Sequence, residues 1–524
     1  MLLNGLWNFS FENGRTLAMS VPGCFDATPE FACKRGKAIY WREVFCGGYS
    51  ELHLEGIGLR AEIFWDDKKI GEELTAYTPL SLRFNAGEKK NHILKIVCDN
   101  TVEETPESEF RRFYDFYGFG GIYRDVTLRE LPETSFSYVK IIPLDPFAGK
   151  VKIHIELDGP EKTVTAKISN GQIFEFPGAG DFEFTINEPK LWSPENPELY
   201  SIVLSCGEDS YTARFGLRSI EKKNKKLYLN GEELFIVGVN RHDVHPAAGA
   251  AMSYEQLRAD LQMIKDAGMN FIRGSHYPQS QHMLDIADEL GLLVWDEILG
   301  WENPLDSLNN DEFIRRQKSA LKRMIRNSVN HPSVVFWGFL NEAFTNDETA
   351  RCCVGELAET VRKEDSSRLV TFATMMSDRD KCLDIVDIAA FNTYPGWYSG
   401  TYTFFDANII KAELDRIADF VQNTPELADM PMIISEIGAA ALPGDHSGRR
   451  WSEEYQSQLI TAAFELIKSN SRYSGVLFWQ FCNTQVDDNE RIMMRPRGFN
   501  NKGLVDEYRK PKLAWYDLKK LLTR

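Results

Sequence analysis

Along the first 220 residues apolar and polar positions alternate with a period of two in short bursts, at 50–54, 61–65 and 93–97 among others, punctuated by Gly, Pro, Asn and Asp. Repeated short strands without a helical period predict a jelly-roll β-sandwich or barrel over residues 1–132. A second all-β stretch follows, with strands expected at 151–157 and 163–168, and it finishes near Ile220. Its span, 133–220, suits an immunoglobulin-like β-sandwich. From about residue 221 apolar runs recur at 234–239, 270–273, 292–296, 334–340, 369–373, 385–391, 432–435 and 475–481. Helix-length amphipathic segments lie between most of them. The first carries Leu257, Leu261 and Ile264 on one face behind a capping box of Ser253 and Gln256. Alternation of this kind, repeated eight times, predicts a (β/α)8 TIM barrel over 221–524 rather than a doubly wound sheet.

Two of the barrel runs end on a glutamate, Phe339-Leu340-Asn341-Glu342 and Ile433-Ile434-Ser435-Glu436. In this register Glu342 closes the fourth strand and Glu436 the seventh, so both emerge on the face where barrels build their sites. Two carboxyl groups flanking one bond are what glycoside hydrolysis requires, one protonating the leaving oxygen and the other attacking or activating water. Taken singly, each is also readable as a solvated strand end. Further polar and aromatic residues fall at strand ends: Asn240, Arg241, His242 and Asp243 after the first, His276 after the second, Asp296 and Glu297 after the third. Asn392, Tyr394 and Tyr398 follow the sixth, and Trp479 lies within the eighth. Such a ring suits a sugar, whose hydroxyls need fixed donors and acceptors and whose apolar face is covered by a Trp ring. The alternatives are that His242 and Asp243 satisfy loop backbone and that Asp296 partners Arg273.

At 524 residues the chain calls for two or three domains, and its formal net charge of -17 repels nucleic acid and anionic membrane, so neither is expected as a partner. No basic leader opens the chain, and no apolar run is long enough for a membrane-spanning helix. Nine cysteines without CxxC spacing fit reduced thiols and a cytoplasmic location. GxGxxG, P-loop and HExxH patterns are missing, so no metal or organic cofactor is expected. Against the acidic background, residues 491–505 hold Arg491, Arg495, Arg497 and Lys502 and no acid. That segment leaves the top of the barrel, and it either grips a ligand carboxylate through charge-assisted hydrogen bonds or forms a solvated basic loop.

Several segments resemble glycoside hydrolase family 2, and within it the β-glucuronidases: Tyr117-Gly118-Phe119-Gly120-Gly121-Ile122-Tyr123-Arg124, Leu191-Trp192-Ser193-Pro194-Glu195-Asn196-Pro197, Gly238-Val239-Asn240-Arg241-His242 and Arg273-Gly274-Ser275-His276-Tyr277-Pro278. The resemblance spans essentially the whole chain. It implies a sugar-binding jelly roll, an immunoglobulin-like domain and a catalytic barrel, with Glu342 as acid/base, Asn341 touching the 2-hydroxyl, Glu436 as nucleophile, and self-association of the chain. Asn500-Asn501-Lys502 is similar to the Asn-x-Lys element that selects a uronic carboxylate. Asp115, His276, Asn392, Tyr394, Tyr398 and Trp479 fall on positions resembling the rest of a glucuronide pocket. The chain departs from the pattern in three places. Ala343 follows Glu342 where many relatives have proline. Ile437 follows Glu436 where tyrosine is common. Pro496 stands where many glucuronidases have a basic residue, with Arg495 or Arg497 as its substitute. The expected substrate is a terminal β-D-glucuronide, with a galacturonide, a galactoside or mannoside, or noncatalytic sugar binding as alternatives. Residues 25–35 and 443–450 are expected along the approach to the site.

Overall fold

The computed structural model describes residues 1–110, 115–398, 402–486 and 495–523. In the N-terminal part Gly5–Phe11 pairs with Leu17–Val21 and Lys37–Cys46, and the sheet continues through Lys90–Asp99 and Arg60–Trp65 to Lys68–Glu73. A three-stranded sheet of Val126–Glu130, Tyr49–Leu54 and Leu80–Asn85 packs with it. Between them Trp7, Phe9, Tyr40, Leu52, Ile63 and Ile96 form one core, the inward half of the period-two pattern. A second sandwich sets Ser135–Asp145, Lys150–Asp158 and Gly180–Thr185 against Ile173–Phe176, Val164–Ile168, Tyr200–Cys206 and Asp209–Phe215. Its own core holds Ile153, Ile155, Ala166, Ile202 and Leu204.

Eight parallel strands then close a barrel: Ile236–Arg241, Phe271–Gly274, Leu293–Glu297, Val334–Asn341, Leu369–Thr374, Ala389–Asn392, Met432–Ile437 and Tyr473–Phe478. The helix Tyr254–Asp266 follows the first strand and carries the expected capping box, Gln256 N donating to Ser253 Oγ at 3.3 Å and Ser253 N to Gln256 Oε1 at 3.0 Å. Three strands lie off their expected positions. The first starts two residues late, and the sixth starts only at Ala389 because Leu383–Ile385 is a 3-10 turn. A buried turn and a buried strand are equally apolar, so hydrophobicity alone does not separate them. The eighth ends at Phe478, which puts Trp479 just beyond it. Among the described residues no helix is long and apolar enough to cross a membrane.

Inside the barrel the first layer is apolar, with Phe271, Leu293 and Val335 at or near strand starts. A small sheet of Ile220–Lys223, Lys226–Leu229 and Glu232–Leu234 packs on it through Leu227, Leu229 and Leu234. Trp192 joins the same cluster from the end of the second sandwich, fully buried, its Nε1 donating to Asp288 O at 2.9 Å. Trp192→Ala is expected to cost about 3–5 kcal/mol, as truncation of a buried aromatic does. Thermal unfolding should show a drop in the melting temperature without any change in KM.

Candidate active site

One period-two step up the second and third strands, the barrel interior turns from apolar to charged. Phe271 gives way to Arg273 and Trp295 to Glu297, side chains two apart sharing a face. Arg273 is fully buried and stands at the centre of the site. It donates to Glu436 Oε1 at 2.8 Å, to both carboxylate oxygens of Glu297 at 2.9 Å, to Asn341 Oδ1 at 2.8 Å and to Asn240 Oδ1 at 3.1 Å. Its guanidinium also lies over the Trp295 ring. A buried cation needs such partners. The alternative reading of Asp296 as its partner is corrected: Asp296 points to the other face of the strand and accepts from Gln279 N at 2.9 Å.

Glu436 lies in the seventh strand. Besides Arg273, it accepts a 2.5 Å hydrogen bond from the Tyr394 hydroxyl, so Tyr394 supplies the contact that Ile437 cannot make. Glu342 lies one residue past the fourth strand, where the ladder to the fifth slips between Gly338 and Asn341. Leu340 and Glu342 both have left-handed backbone, φ 53° and 54°, a conformation costly for non-glycine residues and here forced by the bulge that aims the carboxyl into the mouth. Glu342 N donates to Ala373 O at 2.8 Å, and Glu342 Oε1 accepts from Asn392 Nδ2 at 2.9 Å. The same Asn392 amide reaches Asn341 Oδ1, while Asn392 Oδ1 accepts from Ser435 Oγ at 2.7 Å. Asn341 Nδ2 is buried and has no hydrogen-bond partner among the described residues.

Burial raises both carboxyl groups. Glu342 is pushed up to about 8 by desolvation, then by the charges of Glu436 and Glu302. Glu436 is pushed to about 7 by desolvation, against the pull of Arg273 and Tyr394. Glu342 therefore holds its proton more firmly, and Glu436 is equipped to carry charge. His276 stays neutral, its pKa lowered by burial and by Arg273; its Nδ1 is 2.9 Å from Glu297 Oε1, and its ring stacks on Trp479.

A cationic group forms another part of the site. Arg495 donates to both oxygens of Asp115, at 2.8 and 2.6 Å, and to the Tyr398 hydroxyl at 3.0 Å. Asn500 Nδ2 donates to Asp115 Oδ2 at 2.8 Å. Lys502 is buried, its Nζ 2.5 Å from the Tyr398 hydroxyl, and no carboxylate among the described residues pairs with it. Burial drives its pKa well below the ordinary lysine value, with Arg495 adding to the effect. Arg497, expected at the pocket, is corrected. It sits at φ 65° in the turn Pro496–Gly498 and pairs with Glu507 at 2.8 Å and Asn501 Oδ1 at 2.9 Å, which sends it away from its neighbour Arg495. Arg491 lies outside the described residues.

A cavity of about 960 Å³ joins these groups, lined by Asp115, His276, Glu342, Asn392, Tyr394, Tyr398, Glu436, Trp479 and Arg495. Asn341, Asn500 and Lys502 stand one contact behind that wall. The lining also takes in Trp301, Glu302, Met375, Ile409, Ala412 and Arg416, which the sequence reading missed. The segments 25–35 and 443–450 contribute none of it. Phe25 packs in the first sandwich's core and Arg450 covers the Trp397 ring.

The family model for the TIM barrel domain of glycosyl hydrolases family 2 matches residues 220–524, and a second family 2 model matches 145–218. A β-galacturonidase from Eisenbergiella tayi, solved bound to galacturonate, superposes with a TM-score of 0.91 at 33% identity, over 100% of this chain and 97% of that one. A β-glucuronidase of Streptococcus agalactiae is 25% identical over 99% of this chain and 95% of its own length. A putative β-glucuronidase of Formosa agariphila is 28% identical over 90% of this chain, which spans 61% of that relative's length. With the barrel, the two sandwiches and the paired strand-end glutamates in place, these matches show that the chain belongs to glycoside hydrolase family 2.

Proposed function

We propose that the chain is a retaining exo-β-glycosidase that releases terminal β-D-glucuronate through a covalent glycosyl-enzyme intermediate. The observation that carries this reading is the buried Lys502 amine, grouped with Arg495 and Tyr398 beside the same cavity as the two carboxyl groups. A buried lysine with no carboxylate partner among the described residues favours a ligand that brings a carboxylate, which would stabilise its charged form. The names of the relatives point the same way.

In the first step Glu436 attacks the anomeric carbon as Glu342 gives its proton to the departing oxygen. Arg273 and Tyr394 hold the nucleophile in place and oppose the rise that burial imposes on its pKa. Glu342, now a carboxylate, takes a proton from water, and the hydroxide equivalent releases the uronate from Glu436. Asn341 Nδ2, without a hydrogen-bond partner among the described residues, supplies a donor for the sugar's 2-hydroxyl. Glu342 lies beside the end of the fifth strand, and Met375 follows that strand. The leaving group therefore departs along Met375, Ile409 and Ala412, the last two on the helix Ala407–Asn423.

The pH profile follows from the two pKa values. Glu436 must be ionised, so kcat/KM should rise through about 7, and Glu342 must be protonated, so it should fall through about 8. Glu342→Gln should remove the alkaline limb and cost about 10²–10⁴-fold on a poor leaving group, with a smaller loss on an activated aryl uronide. An unchanged alkaline limb would place the acid elsewhere.

The second reading is a β-galacturonidase, favoured by the 33% identity to the galacturonate-bound structure. The two uronides differ only at C4. Paired 4-nitrophenyl glucuronide and galacturonide assays on the wild type test the function and choose between the two substrates. Hydrolysis of neither would refute the proposal.

A further inference from the structure

Lys502 belongs to an irregular turn that follows the short strand Phe499–Asn500, and its position depends on what holds that turn from behind. Lys512 lies there, 1% exposed and outside the cavity lining. Its Nζ donates to Asn501 O at 2.8 Å, to Ala441 O at 2.9 Å and to Asn483 Oδ1 at 2.9 Å. Three acceptors take all three donors of an ammonium, so the geometry calls for the charged form. Asn483 Oδ1 also accepts from Gly503 N at 3.1 Å, which ties the far end of the turn to the same point. From another element, Gln456 Nε2 donates to Lys502 O at 3.3 Å and to Gly503 O at 3.1 Å. Arg497 adds its bond to Asn501 Oδ1.

Burying a lysine here is costly: desolvation pushes Lys512 down to about 7, with Glu453, Glu507 and Asp506 opposing that shift and Arg497 adding to it. A fold that needed only packing would be served by an apolar side chain of similar length. What the ammonium supplies is directional. It fixes three segments, near Ala441, Asn483 and Asn501, relative to one another, and Lys502 is the next residue along.

We propose that Lys512 is a positioning residue for uronate recognition, holding the Asn500–Gly503 turn so that Lys502 stands against Tyr398, with no part in the chemistry at Glu342 and Glu436. This rests on the uronide reading above.

The test is a double-mutant cycle on the full-length chain, with 4-nitrophenyl glucuronide and galacturonide as probes. Lys512→Met is expected to raise KM roughly tenfold or more and to leave kcat within about threefold, since buried acceptors lose their donor but the carboxylates stay in place. In a Lys502→Ala background the same substitution should change kcat/KM by less than about twofold, because a residue that acts only through Lys502 has nothing left to position. Equal losses in kcat and in 1/KM, an undiminished effect without Lys502, or no effect at all would each overturn the proposal. If Lys512→Met does not fold, Lys512→Gln keeps part of the donor set and should give the same pattern with smaller amplitude, judged by the same criteria. A wild type that hydrolyses neither probe removes the uronide reading itself and this proposal with it. An active wild type with an unresponsive Lys512 variant removes only the positioning role.

Discussion

Glu436→Gln should abolish turnover of a chromogenic uronide, with a loss on the order of 10⁶-fold, the scale seen when the nucleophile of a covalent mechanism is removed. The substitution is isosteric and a carboxamide is a poor nucleophile. Arg273 retains its two bonds to Glu297, so the barrel interior keeps its main ion pair and the fold should survive. Binding should survive too, because the cationic group at Arg495 and Lys502 is untouched. The informative comparison is turnover against product affinity in one preparation. Activity within tenfold of wild type would move the nucleophile away from Glu436. The same variant removes the Glu436 charge from Glu342, so the Glu342 pKa should fall below about 8, which a pH titration followed by NMR of a labelled carboxyl would detect.

Lys502→Ala should cost about 10²–10³-fold in kcat/KM on a uronide, in line with the 2–5 kcal/mol lost when one partner of a buried charge pair is truncated. On the matching neutral glycoside the change should be small or even favourable. Removing a buried lysine that has no carboxylate partner among the described residues relieves its desolvation penalty when no substrate carboxylate arrives to compensate it. The ratio of the two effects is the decisive quantity. Parallel losses on both substrates would mean that the lysine shapes the pocket and does not read the carboxylate.

Part of this site is legible in the primary structure. Glu342 and Glu436 stand out because each ends a long apolar run, and the capping box at Ser253 and Gln256 marks where the first barrel helix begins. The Arg273 centre is not legible in the same way. Choosing between Asp296 and Glu297 as its partner requires knowing which of two adjacent residues faces inward, and that is set by the register of a neighbouring strand. Arg495 and Arg497 pose a similar problem, because a single left-handed residue sends neighbouring cations in opposite directions. The cavity wall at Ile409 and Ala412 was hidden for another reason. Ile409 and Ala412 lie on an outer helix whose amphipathic pattern reads as ordinary packing against the barrel. Asp115 and Arg495 are 380 positions apart, and no local pattern joins them; only the family resemblance pointed to Asp115.

That last contact has a consequence for dissection of the molecule. Arg273 and Glu436 lie in barrel strands and Glu342 directly follows one, so an excised barrel would keep the groups proposed to break the bond. Asp115 lies outside the barrel, and it clamps both Arg495 and Asn500 beside Lys502. A fragment made of the barrel alone would lose the clamp that orders its selective cations. On the proposed uronide reading, substrate choice is then a property of the assembled chain, and fragment libraries screened for hydrolysis would recover catalysis stripped of its preference.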